Sequence, residues 1–156
     1  MLKITIITLG KFKERAFLEL EKEYLKRLNP FAKIKVVEIK EEPYRKNQDL
    51  EQTRLKEAQK IIKLLPEDGI TILLDEKGVV RNSLSFAEFL QRIGSIGKEI
   101  VFVIGSGIGL HNSLKEYSNY SVSLSPLTFT HNFARVLLEE QIYRACTINS
   151  GKEYHK

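Results

Sequence analysis

Apolar residues along the chain switch repeatedly between a continuous run and a helical spacing. "LKITIITLG" is a β-branched run ending at Gly10, and it predicts a first strand. Over residues 12–28, Phe17, Leu20, Tyr24 and Leu28 share one stripe with Glu and Lys opposite, which predicts an amphipathic helix. "KIKVVEI" predicts a second strand. The polar stretch 40–48 reads as the mobile loop. Beyond it, Leu55, Ala58, Ile62 and Leu65 form a second helical stripe, stopped by Pro66. "GITILLD" predicts a third strand with a turn at Lys77-Gly78. Ser85 and Glu88 have capping-box spacing for a helix reaching about Ile93. "EIVFVIG" is wholly apolar, which predicts a central strand covered on both faces.

The next segment, "NYSVSLS", differs. Val122 and Leu124 alternate with Ser121, Ser123 and Ser125, giving a fifth strand with one apolar face and one small polar face. A last helix is predicted over about 131–149. This alternation implies a single-domain α/β fold over residues 1–156, a parallel sheet with helices on both faces. No repeat or linker divides it.

Composition narrows the class of protein. No apolar run approaches the roughly 20 residues of a membrane span. The first residues, "MLKITIITLGKFKER", hold a short apolar run flanked by charge, which reads as a strand and not as a signal peptide. One cysteine, Cys146, excludes an internal disulfide and fits a reducing cytoplasm, where it reads as a small buried helix residue. A net charge of +5 favours a polyanionic partner, modestly, because the charges are dispersed along helices.

Candidate chemistry starts at "IGSGIGLH", which follows the fourth strand where open α/β sheets place ligands. Its glycines permit close approach of a ligand, or simply a tight turn. The run is not the dinucleotide fingerprint, because Leu110 stands where the third glycine belongs and the run is not on the first strand. It contains no Gly-Lys-Ser/Thr either. His111, His131, His155 and Cys146 show no metal-ligand spacing, so no metal is expected. Ser106 has no nucleophile-elbow context.

"SLSPLTFTHNFAR" puts Leu127 and Phe129 in a loop just before a helix that carries His131 and Arg135. Two cation-capable groups one turn apart near a helix N-terminus oppose the macrodipole, which implies an anion nearby. Glu140 and Arg144 are also one turn apart, as an ion pair would be. Along the last helix, Ala134, Leu138, Ile142 and Ala145 form a stripe, and Val136, Leu137 and Tyr143 widen it. Such a surface suggests packing against a second copy. The terminal Tyr154, His155 and Lys156 are either a frayed end or a stacking face, an imidazole and a phosphate partner for a flipped base.

Taken together, "KITIITLGK", "VFVIGSGIGLH", "LSPLTFTHNFARVLLEEQIYRA" and the terminal "YHK" resemble the ribosomal RNA large subunit methyltransferase H family of the SPOUT class, over the whole chain. The resemblance implies a homodimer with a C-terminal trefoil knot. It implies an S-adenosyl-L-methionine-dependent enzyme that methylates N3 of a pseudouridine in 23S rRNA of the assembled ribosome. By motif, Leu74, Gly105 and the run Leu124, Ser125, Pro126, Leu127, Thr128 and Phe129 become cofactor positions. Leu127 and Phe129 would wall an adenine slot. His131 or His155 becomes the candidate proton acceptor, and Arg135 or Arg144 the stabiliser of the imide anion. Tyr154, His155 and Lys156 would meet RNA. Ser106 stands where relatives commonly have a second glycine, and Thr130 stands where they often have Pro, here a candidate N-cap. Two alternatives remain: a non-catalytic ribosome- or RNA-binding module, and a nucleotide-cofactor oxidoreductase. The misplaced glycines disfavour the second.

Overall fold

Each predicted apolar run is a strand. The computed structural model describes residues 1–45 and 47–154. The strands are β1 (Leu2–Leu9), β2 (Ala32–Ile39), β3 (Gly69–Val80), β4 (Glu99–Ile104) and β5 (Tyr120–Ser123). All pairings are parallel, in the order β2-β1-β4-β3-β5. Four helices accompany them: α1 (Arg15–Leu28), α2 (Leu50–Ile62), α3 (Ser83–Gly94) and α4 (His131–Asn149).

Side chains alternate across a strand, so the apolar runs supply two cores. On one face Ile4, Ile6, Ile72, Ile100 and Phe102 pack with Leu28 of α1, Phe86, Leu90 and Ile93 of α3, and Leu138 and Ile142 of α4. On the other, Ile7, Leu9, Leu73, Val101 and Val103 pack with Ala58 and Ile61 of α2 and with Leu114. Leu114 lies in a short 3-10 helix, Asn112–Tyr117, that takes the place of a full helix between β4 and β5. In sheet order β5 lies beyond β3 from β4, so this connection passes from one side of β3 to the other.

Several local expectations change. The buried side of α1 runs through Phe17, Glu21, Tyr24 and Leu28, while Leu20 is exposed, because the helix turns an acidic residue inward. Ala58, Ile62 and Leu65 of the predicted α2 stripe meet the core, but the helix is turned so that Thr53, Glu57 and Ile61 are its buried side chains with Ala58. The N-cap of α3 is Asn82, whose side chain accepts from the Ser85 amide, so Ser85 belongs inside the first turn. Strand β3 does not end at Lys77-Gly78. Its ladder with β5 shifts register between Leu74 and Val79, both paired with Val122. Gly78 allows this because a Cβ there would lie 2.7 Å from Val122 backbone atoms. In α4, Leu138, Ile142 and Ala145 are buried in the chain's own core and are not a free surface for a second copy. Among the described residues, no helix is long and apolar enough to cross a membrane.

Candidate functional site

A cleft of about 730 Å³ opens at the carboxyl ends of β4 and β5, beside the middle of β3. Leu74, midway along β3, and Ile104, at the end of β4, line it together with the glycine loop and the loop after β5. The volume lies within the range of small-ligand sites.

The glycine loop is a closed turn. The Gly109 amide donates to the Ser106 carbonyl at 3.0 Å, and Gly109 has φ +82°, a conformation that favours glycine. A Cβ on Gly105 would stand 3.0 Å from Leu110 Cγ and 3.2 Å from the Gly109 carbonyl carbon. Helix α2 holds the loop from behind. Arg54 Nη1 donates to the Ile108 carbonyl at 3.2 Å, and Ser106 Oγ donates to Glu57 Oε2 at 2.8 Å. Arg54 also pairs with Glu51 at 2.6 Å, which holds the Glu51 carboxyl below the ordinary carboxylate range. Glu51 in turn lies 2.9 Å from His111 Nε2.

Across the cleft, the loop after β5 is organised by its own serines. Ser123 Oγ donates to the Ser125 carbonyl at 2.9 Å, and Ser125 Oγ accepts from the Leu127 amide at 3.0 Å. Thr128 Oγ1 donates to Glu76 Oε2 at 3.1 Å. This leaves Leu127 71% exposed and Phe129 partly exposed, apolar side chains at the rim of a polar cleft. Of the expected cofactor positions, Leu74, Gly105, Leu124, Ser125, Leu127, Thr128 and Phe129 all line it. Pro126 lies within the same turn without lining the cleft.

The His131–Arg135 pair divides. Thr130 caps α4, accepting from the Phe133 amide at 3.5 Å, and His131 faces the cleft with Nε2 3.8 Å from Glu41. Arg135 points the other way and is 3% exposed. Its Nε donates to Glu21 at 2.7 Å, its Nη1 donates to Glu38 at 2.9 Å, and its guanidinium lies 4.1 Å from the Phe12 ring centre. The anions implied by two adjacent cations are therefore carboxylates of the protein itself. Next to them, Glu139 is buried, and no donor reaches its carboxylate oxygens among the described residues. Burial, then the Glu21 charge, pushes its carboxyl up to about 9.

Arg144 and Tyr154 meet at the other end of α4. Arg144 pairs with Glu140 at 2.6 Å, and its guanidinium lies 4.7 Å from the Tyr154 ring centre. Tyr154 packs edge-on to Tyr143 at 4.8 Å, and its hydroxyl lies 3.3 Å from Glu140 Oε1. Thirteen residues of helix separate His131 from Arg144, which at about 1.5 Å per residue is about 20 Å. His155 and Lys156 lie outside the described residues. Cys146 is buried in α4, and burial pushes its thiol up to about 11. Among the described residues no cluster of three or more metal-ligand side chains occurs.

Residues 2–155 match the profile of the family described as predicted SPOUT methyltransferase. The chain belongs to the SPOUT methyltransferase family. Full-length relatives agree with this. A protein of Caldicellulosiruptor saccharolyticus named ribosomal RNA large subunit methyltransferase H is 45% identical, over 98% of this chain and 99% of the relative. Proteins of the same name from Desulforamulus reducens and Ureaplasma parvum are 43% and 38% identical, with at least 98% of each chain covered. Within this SPOUT chain, Arg54, Glu57, Glu51 and Lys115 escaped the sequence reading, although Glu51, Arg54 and Glu57 recur every three residues along α2. That spacing, charged residues running from exposed Glu51 to buried Glu57 along one side of the helix, is the signal that marks them.

Proposed function

We propose that the chain is an S-adenosyl-L-methionine-dependent methyltransferase that modifies N3 of a pseudouridine in 23S rRNA of the assembled ribosome. The carrying observation is the cleft. Its apolar rim at Leu127 and Phe129, its turn of backbone at Ser125–Thr128 and its Cβ-free wall at Gly105 suit an adenosine group. Arg54, Lys77 and Lys115 on the same walls suit a carboxylate. The family assignment and the names of the relatives support the RNA substrate and a cytoplasmic setting.

When bound, the cofactor supplies a methyl group on a sulfonium. The protein's part is to hold the target base in line and to assist loss of the N3 proton. His131 at the cleft edge, or His155, accepts that proton. Arg144, paired with Glu140 but part-exposed, steadies the imide anion, whereas Arg135, buried among carboxylates, serves α4. Because Arg144 and Tyr154 lie about 20 Å from His131 along α4, a second copy brings them to the cleft. The active unit is then a homodimer with shared sites, and the chain after β4 forms the knot.

The test pairs two defective chains. Gly105→Val forces Leu110 aside and should abolish S-adenosylmethionine binding in a folded protein. A chain lacking residues 154–156 should bind cofactor normally and transfer no methyl group. Mixing the two should restore part of the activity. Normal cofactor affinity in folded Gly105→Val, or no recovery on mixing, contradicts the reading.

A further inference from the structure

Glu57 lies 2% exposed behind the glycine loop and takes no part in the chemistry proposed above. A buried carboxylate is costly unless donors satisfy it. Here two donors come from separate segments of chain. Ser106 Oγ of the glycine loop donates to Oε2 at 2.8 Å, and the backbone N–H of Glu42 donates to Oε1 at 3.0 Å. Burial pushes the Glu57 carboxyl up, and both hydrogen bonds oppose that shift.

The two segments face different parts of the cleft region. Ser106 lines the cleft itself. Glu42 follows Glu41, whose carboxylate is 3.8 Å from His131 Nε2. The neighbours of Glu57 on α2 reinforce both contacts. One turn earlier, Arg54 donates to the Ile108 carbonyl at 3.2 Å. One turn later, Lys60 donates to the Lys40 carbonyl at 3.1 Å and pairs with Glu42. Arg54, Glu57 and Lys60, each three residues apart, form a polar spine with Glu57 as its buried link.

We propose that Glu57 is a positioning residue that ties the glycine loop to the segment bearing Glu41, so the cofactor wall and the surroundings of His131 keep one geometry. This rests on the cofactor reading above. Ser106 contributes the donor on the cofactor side, which gives a reason for a hydroxyl between Gly105 and Gly107.

Three variants test it by calorimetric titration with S-adenosylmethionine, melting temperature, and amide exchange at Glu42. Ser106→Ala removes one donor and should weaken binding about two- to tenfold while lowering the melting temperature by only a few degrees, leaving the fold intact. Glu57→Ala should weaken it further and speed exchange at Glu42. Glu57→Gln should bind within about twofold of the parent, because its amide can accept from Glu42 and donate to Ser106 Oγ. That rescue separates positioning from mere filling of space. Parent-like affinity in Ser106→Ala, or unchanged Glu42 exchange in folded Glu57→Ala, overturns the proposal. Should Glu57→Ala fail to fold, Ser106→Ala decides. If the parent chain itself binds no S-adenosylmethionine, the cofactor reading falls, while Glu42 exchange in Glu57→Ala still decides whether Glu57 ties the segments together.

Discussion

Glu57 and Glu139 are buried on opposite faces of the sheet, one on α2 and one on α4. Both carboxyls are raised by burial. Their surroundings differ in kind. Glu57 receives a hydroxyl and an amide from two loops at the cleft. Glu139 receives no donor among the described residues, shares its proton with the neighbouring Glu21 carboxylate, and has Arg135 Nε, 3.9 Å away, occupied by Glu21. The contrast teaches what a buried carboxylate is for in each place. Supplied with donors from two separate loops, it is suited to hold them in one geometry. Left beside another carboxylate, it holds a proton and makes the helix sensitive to pH.

The strongest way to break this contrast is through Arg135. Arg135→Ala would leave Glu21, Glu38 and Glu139 without their shared cation, and loss of one partner from a buried pair costs about 3–5 kcal/mol. Denaturant unfolding should show a loss of that order, enough to threaten folding near body temperature. Activity lost with stability unchanged would instead make Arg135 a group that acts on substrate.

A smaller effect separates the two carboxylates by pH. In the unfolded chain Glu139 ionises near its ordinary value of 4.5, whereas the folded chain holds its proton to about 9. Folding therefore takes up a proton between those values. The stabilisation is fully present below about 4.5 and is lost as pH rises towards about 9. The slope is at most about 1.4 kcal/mol per pH unit. Glu139→Gln should flatten melting temperature against pH over this window. Glu57→Gln should change the curve less, because two hydrogen bonds already oppose its shift. Equal flattening by both substitutions would erase the distinction.

Much of the fold was legible because strands buried on both faces are written as uninterrupted apolar runs, as in β1 and β4. The start of α4 was legible too, since Thr130 is a good cap and the run before it breaks at Pro126. The loop residues that line the cleft were readable from motif. Its supporting carboxylate was not, because Glu57 occupies an inward position where helical patterning expects an apolar side chain. Nor could spacing show Arg135 turning inward. Its partners Glu38 and Glu21 lie 97 and 114 residues away in sequence, and only the finished fold brings them together. The register shift at Gly78 was hidden for a related reason, since a turn signal and a bulge use the same residue.

Catalysis itself is tested most directly on the substrate. Ribosomes from a strain lacking this protein would be incubated with the chain and S-adenosylmethionine, and the 23S rRNA nucleosides analysed by mass spectrometry. One added methyl group on a single pseudouridine, at N3, is the predicted result. Ribosomes that bind the protein with cofactor present but whose rRNA gains no methyl group would contradict it and leave a non-catalytic ribosome-binding module.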